Sequence, residues 1–430
     1  MLSAFAQAFR TPDLRRKLLF SLLIMALFRL GTFIPAPGVD TKAVQACLAQ
    51  QEQASLLDLV NLFSGGALLQ LSIFALGIMP YITASIIIQL LRVVVPRFDD
   101  LHKEGQIGQA KLTQYTRYLT IFLGVLQSTT TITLARSGAL FPTCQQSIIA
   151  DDSVTSFLVM VIVMTAGTSV IMWLGELITE RGIGNGMSLL IFTSITAQLP
   201  SQLLSIGQGG NWSAVAAIVA MILGVTIAVV FIEQAQRRIP VQYAKRMVGR
   251  RTYGGSSTYI PLKINMSGVI PVIFASSLLA MPSLVAQFGA QDADWVLWIR
   301  TNFSSTAWLY LTVYALLILF FAFFYTSITF NPEEVADNMK RYGGFIPGYR
   351  AGRPTAEYLR YVVNRITSAG AVYLVVIALL PSLLIIPLGL GAGQMPFGGT
   401  TLLIIVGVGL QTVKEINTQL QQHHYEGFLR

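Results

Sequence analysis

Ten stretches of mostly apolar residues alternate with polar stretches along the chain. Each is close to the roughly 20 residues that an α-helix needs to cross a bilayer. Several contain Gly, Pro, Ser or Thr, which membrane helices tolerate where a neighbouring helix or water satisfies the backbone. The pattern predicts ten spanning helices, at residues 18–34, 71–91, 118–135, 154–174, 183–205, 213–232, 266–288, 307–329, 366–387 and 398–416.

The second stretch, Leu71–Leu91, is uncharged but is not uniformly apolar. Gly77 and Pro80 weaken the interior of a helix. Three isoleucines spaced four residues apart share one helix face; they are Ile78, Ile82 and Ile86. Four polar side chains interrupt the stretch, those of Ser72, Thr83, Ser85 and Gln89. We expect this helix to face protein or a cavity rather than lipid; the alternative is an ordinary buried bundle helix.

Composition places the chain among polytopic membrane proteins. Hydrophobic residues make up 53% and charged residues only 11%, whereas soluble domains carry about 25% charged residues. The first apolar run is followed by Pro35-Ala36-Pro37-Gly38 and lacks a small-x-small cleavage site. It is therefore expected to remain as a span rather than to be removed as a signal peptide.

Lysine and arginine lie almost entirely on one side of the ten predicted spans. Of the 29 such residues, 25 fall in the two termini and in the connections after spans 2, 4, 6 and 8. Lys42, Arg136 and Arg300 fall on the other side, and Arg29 lies within span 1. Because cytoplasmic loops carry the excess of Lys and Arg, both termini of this multi-pass protein are predicted to be cytoplasmic.

Ten spans divide into two halves of five, residues 1–205 and 206–430, which must have opposite orientations. This is the arrangement of an inverted repeat with a pathway between the halves. The sequence shows no convincing repeat, so the prediction rests on topology.

Two long basic loops, Glu233–Asn265 and Phe330–Arg365, lie on the predicted cytoplasmic side. Anchoring of the spans explains basic residues near the membrane. It explains poorly the pair Arg250-Arg251 near the middle of the first loop. We therefore predict a docking surface for an anionic protein or for ribosomal RNA, whose phosphates attract Lys and Arg.

The segment Ser55–Ala67 (SLLDLVNLFSGGA) lies on the other side and is too short to span. One interpretation is an interfacial helix that lies flat on the membrane. The other is a small re-entrant helix, packed in a cavity and hinged at Gly65 and Gly66. Apolar residues on nearly every face favour the second interpretation.

The sequence contains few residues that could form a disulfide, bind a metal ion or catalyse a reaction. Cys47 and Cys144 fall in loops predicted outside the cytoplasm, and two cysteines without a spacing motif are expected to be unpaired, with a disulfide as the alternative. The three histidines form no metal-ligand pattern; they are His102, His423 and His424. No Ser/His pair, paired mid-span Asp or HExxH pattern indicates catalysis.

The segment Trp173–Leu190 (WLGELITERGIGNGMSLL) carries Glu176 and Glu180 at the end of span 4, followed by a glycine-rich turn. The GxGxG spacing follows no strand and lacks GxGxxG, which argues against nucleotide binding. Paired glutamates can act as a proton relay. These lie at the membrane edge, so a structural turn is the favoured interpretation.

The segments SIFALGIMPYITASIIIQLL and WLGELITERGIGNGMSLL resemble the two signature sequences of the SecY family, the channel subunit of the bacterial Sec protein translocon. The resemblance extends from end to end of the chain, through FRLGTFIPAPGVD, NLFSGGAL, QRRIPVQYAKR, GVIPVIFASSLL, FNPEEVADNMKRYGGFIPGYRAG and FGGTTLLIIVGV. It implies an all-α polytopic membrane protein with ten transmembrane helices. These would form two pseudo-symmetric inverted halves, a clamshell around a central hourglass pore.

The resemblance also implies a constriction, here called the pore ring. By motif position it comprises Ile78, Ile82, Met187, Ile191, Ile273 and Ile404. Met187 departs from the usual isoleucine, and its flexible thioether is expected to soften the ring. A plug helix is implied at about residues 55–66, including Leu59, Asn61, Phe63, Ser64, Gly65 and Gly66.

Further implied sites are a lateral gate and a docking surface. The gate lies where spans 2 and 3 meet spans 7 and 8, with polar members Thr83, Ser85 and Gln89. Arg250, Arg251 and Arg350 would contact the SecA ATPase and the ribosome, including its RNA. The other implied partners are the SecE and SecG subunits, signal peptides, unfolded preproteins and membrane lipids. No cofactor, metal or catalytic residue is implied.

The resemblance implies a passive pore in the bacterial cytoplasmic membrane that passes unfolded polypeptides and releases membrane segments laterally. The physical properties of aliphatic side chains fit such a pore. A ring of them can adapt to polypeptides of many shapes, and it loses its water when it is closed. A secondary transporter would need a midplane polar cluster, and an ion-coupled pump would need buried ionisable groups. Arg29 is the main mid-span exception, and we expect it to pair with a helix end or a loop carbonyl.

Overall fold

Helices dominate the computed structural model of the chain. The structure describes residues 9–50, 64–138, 140, 148–149, 153–208, 212–243, 246–248, 251–253, 257–287, 293–303, 307–388 and 399–428. The helices are α1 (Pro12–Thr32), α2 (Thr41–Gln50), α3 (Met79–Val94), α4 (Pro96–Lys103), α5 (Gln106–Arg136), α6 (Val154–Arg181), α7 (Gly186–Gln208), α8 (Trp212–Gln234), α9 (Ile270–Gln287), α10 (Asp294–Asn302), α11 (Trp308–Thr329), α12 (Pro332–Arg341), α13 (Arg353–Leu388) and α14 (Gly399–Phe428). The ten predicted spans fall, in order, on α1, α3, α5, α6, α7, α8, α9, α11, α13 and α14.

Six helical segments within the described ranges are long and apolar enough to cross a membrane. They are Gln106–Arg136, Val154–Arg181, Val215–Gln234, Trp308–Arg341, Arg353–Leu383 and Gly399–Gln422. Helices α3 and α4 meet at a bend of 100° and make a seventh span if they are taken together. The predicted spans on α1, α7 and α9 are not among these segments, although Ile270–Leu279 of α9 is a shorter apolar helix.

The second predicted span begins later than its hydrophobic pattern indicates. Residues 64–78 form successive turns, and the helix starts at Met79. Gly77 has a positive φ of 56°, a conformation that side-chain-bearing residues avoid. Pro80 lies in the first turn of α3, where its missing N–H costs no helical hydrogen bond. The two residues that weaken a helix interior therefore mark the start of this helix.

The helices pack as two sets that meet through a few elements. Helices α3, α5, α6 and α7 contact one another in chain order, and α9, α11, α13 and α14 do the same. Helix α1 packs on α6 and α7 of the first set, and α8 packs on α13 and α14 of the second. Contacts between the two enlarged sets include α7 with α8, α7 with α14, and α1 with α14. One large cluster of buried apolar residues contains members of both sets, so the core is shared between them.

The two long basic loops contain strands that the sequence pattern did not reveal. They are β1 (Gln236–Tyr243), β2 (Arg246–Val248), β3 (Arg251–Tyr253), β4 (Ser257–Lys263) and β5 (Gly344–Phe345). Strand β1 lies between β4 and β5 and is antiparallel to both. Because β5 comes from the second loop, this sheet joins both loops into one unit. Its buried side chains, such as those of Ile239, Val241 and Leu262, pack with residues of α12 and α13.

A second apolar cluster lies away from this sheet, where the α1–α3 connection meets the α5–α6 connection. Val39 and Ile149 form an antiparallel bridge, and the Asp40 N–H donates to the Ile148 carbonyl over 2.9 Å. Cys47 packs in this cluster, fully buried and disulfide-bonded. The expectation of unpaired cysteines is therefore wrong for Cys47. Cys144, the other cysteine of the sequence, lies outside the described residues.

Candidate functional site

The six residues of the predicted pore ring belong to one apolar cluster. Five of them lie on helices α3, α7, α9 and α14, and Ile78 directly precedes α3, so the six come from both sets of the fold. Ile78, Ile191 and Ile404 are almost fully buried, with exposures of 2%, 4% and 1%. Met187 and Ile273 are partly buried against the same cluster. The structure thus brings together side chains that lie more than 300 residues apart in the sequence.

The glycine-rich segment between α6 and α7 positions Met187. The Asn185 side chain accepts hydrogen bonds from the backbone N–H groups of Met187 and Ser188, over 3.1 and 3.3 Å. The Gly186 N–H donates to the Thr179 hydroxyl over 2.9 Å. These bonds satisfy donors at the start of α7 that have no helical partner. The segment is a capped turn, as the sequence predicted.

Met187 packs closely against α6. Its thioether occupies the space that a Cβ atom at Gly175 would need. The side chain at this position is therefore in contact with the neighbouring helix as well as with the apolar cluster. An isoleucine would be stiffer at the same place, since it is branched at Cβ.

Glu176 has a structural partner that the sequence analysis missed. The Arg117 guanidinium donates two hydrogen bonds to its carboxylate, over 2.9 and 2.8 Å, in a bidentate pair. The pair ties α5 to the C-terminal part of α6. It also agrees with the structural interpretation of Glu176 rather than with the proton-relay interpretation. Arg117 and Glu176 lie at the same predicted depth in the membrane, next to the ends of adjacent spans. Comparing these two depths in the sequence would have revealed the pair.

We expect Glu176→Gln to destabilise the packing of α5 on α6 by about 1 kcal/mol, a value kept small because the Arg117 side chain is 40% exposed. The substitution keeps the shape of the side chain but removes the charge that the bidentate pair requires. The measurement is the midpoint of thermal unfolding of the purified protein in detergent. Glu180→Gln is the control, since Glu180 is exposed one turn farther along α6. Equal midpoints for the two variants would contradict the prediction.

The side-chain hydrogen bonds of the predicted lateral-gate residues that the structure shows lie within α3. The Thr83 hydroxyl is buried and donates to the Met79 carbonyl over 3.0 Å. The Gln89 amide donates to the Ser85 hydroxyl over 3.5 Å. Ser85 and Gln89 are only partly buried and share one face at i and i+4. Within α3, the side chains of Ser85 and Gln89 thus bond to each other, whereas the Thr83 side chain bonds to a backbone carbonyl.

The described part of the predicted plug is its final turn. Ser64, Gly65 and Gly66 are described, whereas Leu59, Asn61 and Phe63 lie outside the described residues. The Gly65 carbonyl accepts a hydrogen bond from Nη1 of Arg29 over 2.9 Å. The expected pairing of Arg29 with a loop carbonyl is therefore confirmed.

Arg350 lies in an exposed but well-fixed loop. The preceding Tyr349 stacks on Tyr358 of α13, with ring centroids 4.2 Å apart. The Arg350 carbonyl accepts a hydrogen bond from the Thr355 hydroxyl over 2.8 Å. Its backbone is thus held while its side chain faces solvent. Arg251 begins β3, opposite Val248, and Arg250 lies outside the described residues.

Across the described ranges, no group of three or more His, Cys, Asp or Glu side chains could hold a metal ion. The candidate site in the described residues is the apolar cluster that the two helix sets share.

Comparison with known proteins gives consistent matches over the whole chain. The sequence model of the SecY family matches residues 72–413. The protein translocase subunit SecY of Streptomyces scabiei is 64% identical over 438 residues, and that of Mycobacterium tuberculosis H37Rv is 55% identical over 444 residues. Both alignments cover 100% of this chain and 100% of the relative.

Solved structures show a similar fold at low sequence identity. A structure described as a protein conducting channel superposes with a TM-score of 0.63 at 19% identity, over 94% of this chain and 91% of that chain. Sec61 in the canine ribosome-channel complex from the endoplasmic reticulum superposes with a TM-score of 0.60 at 18% identity, over the same shares. These likenesses concern the fold, and they agree with the predicted helical clamshell.

Proposed function

The chain belongs to the SecY family, and from this premise we propose that it is the channel-forming subunit of a protein translocase. It passes unfolded secretory polypeptides across a membrane and releases membrane segments sideways into lipid. It acts as a channel subunit and not as an enzyme. The observation that carries the proposal is the shared apolar cluster, in which the pore ring draws side chains from both sets of helices.

The mechanism follows from the chemistry of that ring. Aliphatic side chains offer an ion no ligand, so a narrow ring of them dewets and resists ion flow when it is closed. They also form no directional bonds to a passing chain, which lets one constriction accept many sequences. Residues 1–205 and 206–430 act as the two halves, and they part at the gate formed by α3 and α5 with α9 and α11.

We place the protein in the bacterial cytoplasmic membrane with both termini and the basic loop unit in the cytoplasm. The support is the one-sided distribution of Lys and Arg. Arg250, Arg251 and Arg350 then face the compartment where proteins are made. The SecA ATPase and the ribosome, including its RNA, are the proposed driving partners at this surface. SecE and SecG are the proposed companion subunits within the membrane.

A stalled secretory chain tests the path directly. Photo-reactive probes at Ile82 and at Ile404 should both label the stalled chain, because these residues come from opposite sets and share the apolar cluster. A probe at Ile227 is the control, since that isoleucine lies on α8 with 70% exposure. Labelling from only one half, or equal labelling from Ile227, would contradict a path between the halves.

A further inference from the structure

A buried asparagine lies between the end of β4 and the start of α9. Asn265 is 3% exposed, and its side-chain amide donates to Oε1 of Glu233 over 2.5 Å and to the Gly268 carbonyl over 3.0 Å. Its side-chain carbonyl accepts a hydrogen bond from the Ser267 hydroxyl over 3.1 Å. Both amide protons of this asparagine are therefore used. One side chain thus connects the end of α8, which holds Glu233, with the turn that leads into α9.

The backbone next to Asn265 is fixed on two sides. The Ile264 N–H donates to the Ala235 carbonyl over 3.1 Å, which continues the pairing of β1 with β4 up to α8. The backbone of α13 lies against the same residues, since a Cβ atom on Gly370 would lie 2.5 Å from the Ile264 carbonyl oxygen. The junction of α8, β4 and α9 is therefore closely packed, and Asn265 lies within it.

The turn that Asn265 bonds leads directly into the pore ring. Gly268 precedes Val269, whose carbonyl accepts a hydrogen bond from the N–H of Ile273 over 3.3 Å. Val269 also meets α14, because a Cβ atom on Gly407 would lie 2.6 Å from the Val269 Cγ2 atom. The first turn of α9 thus connects the buried asparagine with two of the helices that carry pore-ring residues.

The hydrogen bonds of Asn265 are of the kind that fixes geometry. A hydrogen bond to an ionised group is roughly twice as strong as one between neutral groups. A buried polar network is rigid when its members are satisfied. Glu233 and Asn265 are also the two ends of the first basic loop, so their bond closes the loop at its base. The separation of α8 and α9 is therefore set by side chains as well as by the pairing of β1 with β4.

We propose that Asn265 is a positioning residue of the pore ring, which bonds Glu233 with one amide proton and Gly268 with the other and so fixes where α9 begins. Ile273, in the first turn of α9, is thereby held against the shared apolar cluster. Asn265 is itself buried and acts through α9. The inference rests on the proposed sealing role of the pore ring.

The test measures resting ion conductance of the purified translocase in planar bilayers. Asn265→Leu keeps the approximate size of the side chain but loses both donors. We expect resting conductance to rise roughly tenfold, since loss of a hydrogen bond to a charged group shifts an equilibrium by about that factor. Wild-type conductance in this variant would overturn the proposal. Should Asn265→Leu not accumulate, Asn265→Ser replaces it, because the shorter side chain cannot bridge the same two acceptors, and wild-type conductance there would overturn the proposal equally.

A double variant separates position from stability. Glu233→Leu combined with Asn265→Leu leaves no carboxylate without its amide partner, and replacing both members of a polar pair by apolar groups can be nearly neutral for stability. We expect its thermal unfolding midpoint to return toward wild type while its conductance stays raised, because Gly268 still lacks its donor. Conductance that returned together with the midpoint would overturn the proposal, since the effect would then be a loss of stability.

Asn331→Leu is the matched control. Asn331 lies in the second basic loop and caps α12, where its side chain accepts hydrogen bonds from the N–H groups of Glu333 and Glu334. Loss of the cap weakens that helix, but the conductance should match wild type. An equal rise in Asn331→Leu and Asn265→Leu would overturn the proposal, because the effect would then follow from losing any asparagine that bonds the backbone of these loops.

Ile273→Ala distinguishes the positioning role from the seal. Removal of most of the Ile273 side chain should raise the conductance by widening the pore ring. If Ile273→Ala raises the conductance while Asn265→Leu does not, the positioning role is wrong and the seal stands. If neither variant raises it, the sealing role of Ile273 fails as well.

Discussion

Replacing Ile78, Ile82 and Ile404 together with glycine is expected to raise the resting ion conductance by about tenfold or more, since each 1.4 kcal/mol taken from a barrier gives a factor of ten. All three side chains are at least nine-tenths buried in the shared apolar cluster. Their removal leaves a wider and less apolar gap between the helix sets. Water can then fill the constriction, and the dewetting barrier to ions falls.

Glycine also weakens helices, so the triple variant needs a control that separates sealing from folding. Replacing the same three residues with valine keeps an apolar, branched side chain at each position and should leave the conductance near wild type. Single-channel recording in planar bilayers measures both variants. A glycine variant that remains folded by thermal unfolding and shows wild-type conductance would contradict the hydrophobic seal.

The spanning helices could be predicted because long apolar runs dominate their sequences. Where a predicted helix boundary was wrong, the backbone conformation of individual residues explains the difference. The run from Leu71 is uncharged and mostly apolar, but Gly77 adopts a positive φ and Pro80 fits the first turn, so α3 begins at Met79. Hydropathy alone cannot distinguish an apolar turn from an apolar helix.

The strands of the basic loops were missed for a different reason. Strand β1 buries only alternate residues near its end, among arginines and glutamines, so its pattern is short and weak. Its second partner, β5, has two residues and comes from a loop some 100 residues later. Pairing at that separation leaves no local signal in the sequence.

The candidate site was predictable mainly through resemblance, and only the composition of its side chains followed from physics. An aliphatic ring suits a pore that must yield and seal, but no periodicity predicts that Ile404 and Ile78 belong to one apolar cluster. The pair of Arg117 with Glu176 shows the same limit, since it is a contact between helices. The disulfide at Cys47 was likewise hidden, because two cysteines without a motif carry little information.

Replacing Arg350 with glutamate is expected to lower the rate of ATPase-driven preprotein import by about tenfold or more, because a like charge across a docking interface costs several kcal/mol and each 1.4 kcal/mol is a factor of ten. The structure explains why a substitution at Arg350 alone should have a large effect on import. The stack of Tyr349 on Tyr358 and the bond from Thr355 hold the Arg350 backbone in place. The Arg350 loop is therefore already ordered before a partner binds, so binding does not have to fix the backbone of this loop.

Because the backbone of this loop is held in place, Arg350→Glu tests the charge of the loop without changing its structure. The Arg350 side chain faces solvent and its loop is held by backbone and aromatic contacts, so charge reversal should leave the thermal unfolding midpoint within error of wild type. Lys42→Glu makes the same change in net charge at an exposed site that we place on the opposite face of the membrane, and it should import normally. Import into reconstituted vesicles, driven by the ATPase, measures all three proteins. Normal import by Arg350→Glu would rule out this loop as a docking site, whereas equal loss in Lys42→Glu would attribute the effect to net charge. Loss in Arg350→Glu alone, at unchanged stability, would place the driving partner on the loop that α13 holds in position.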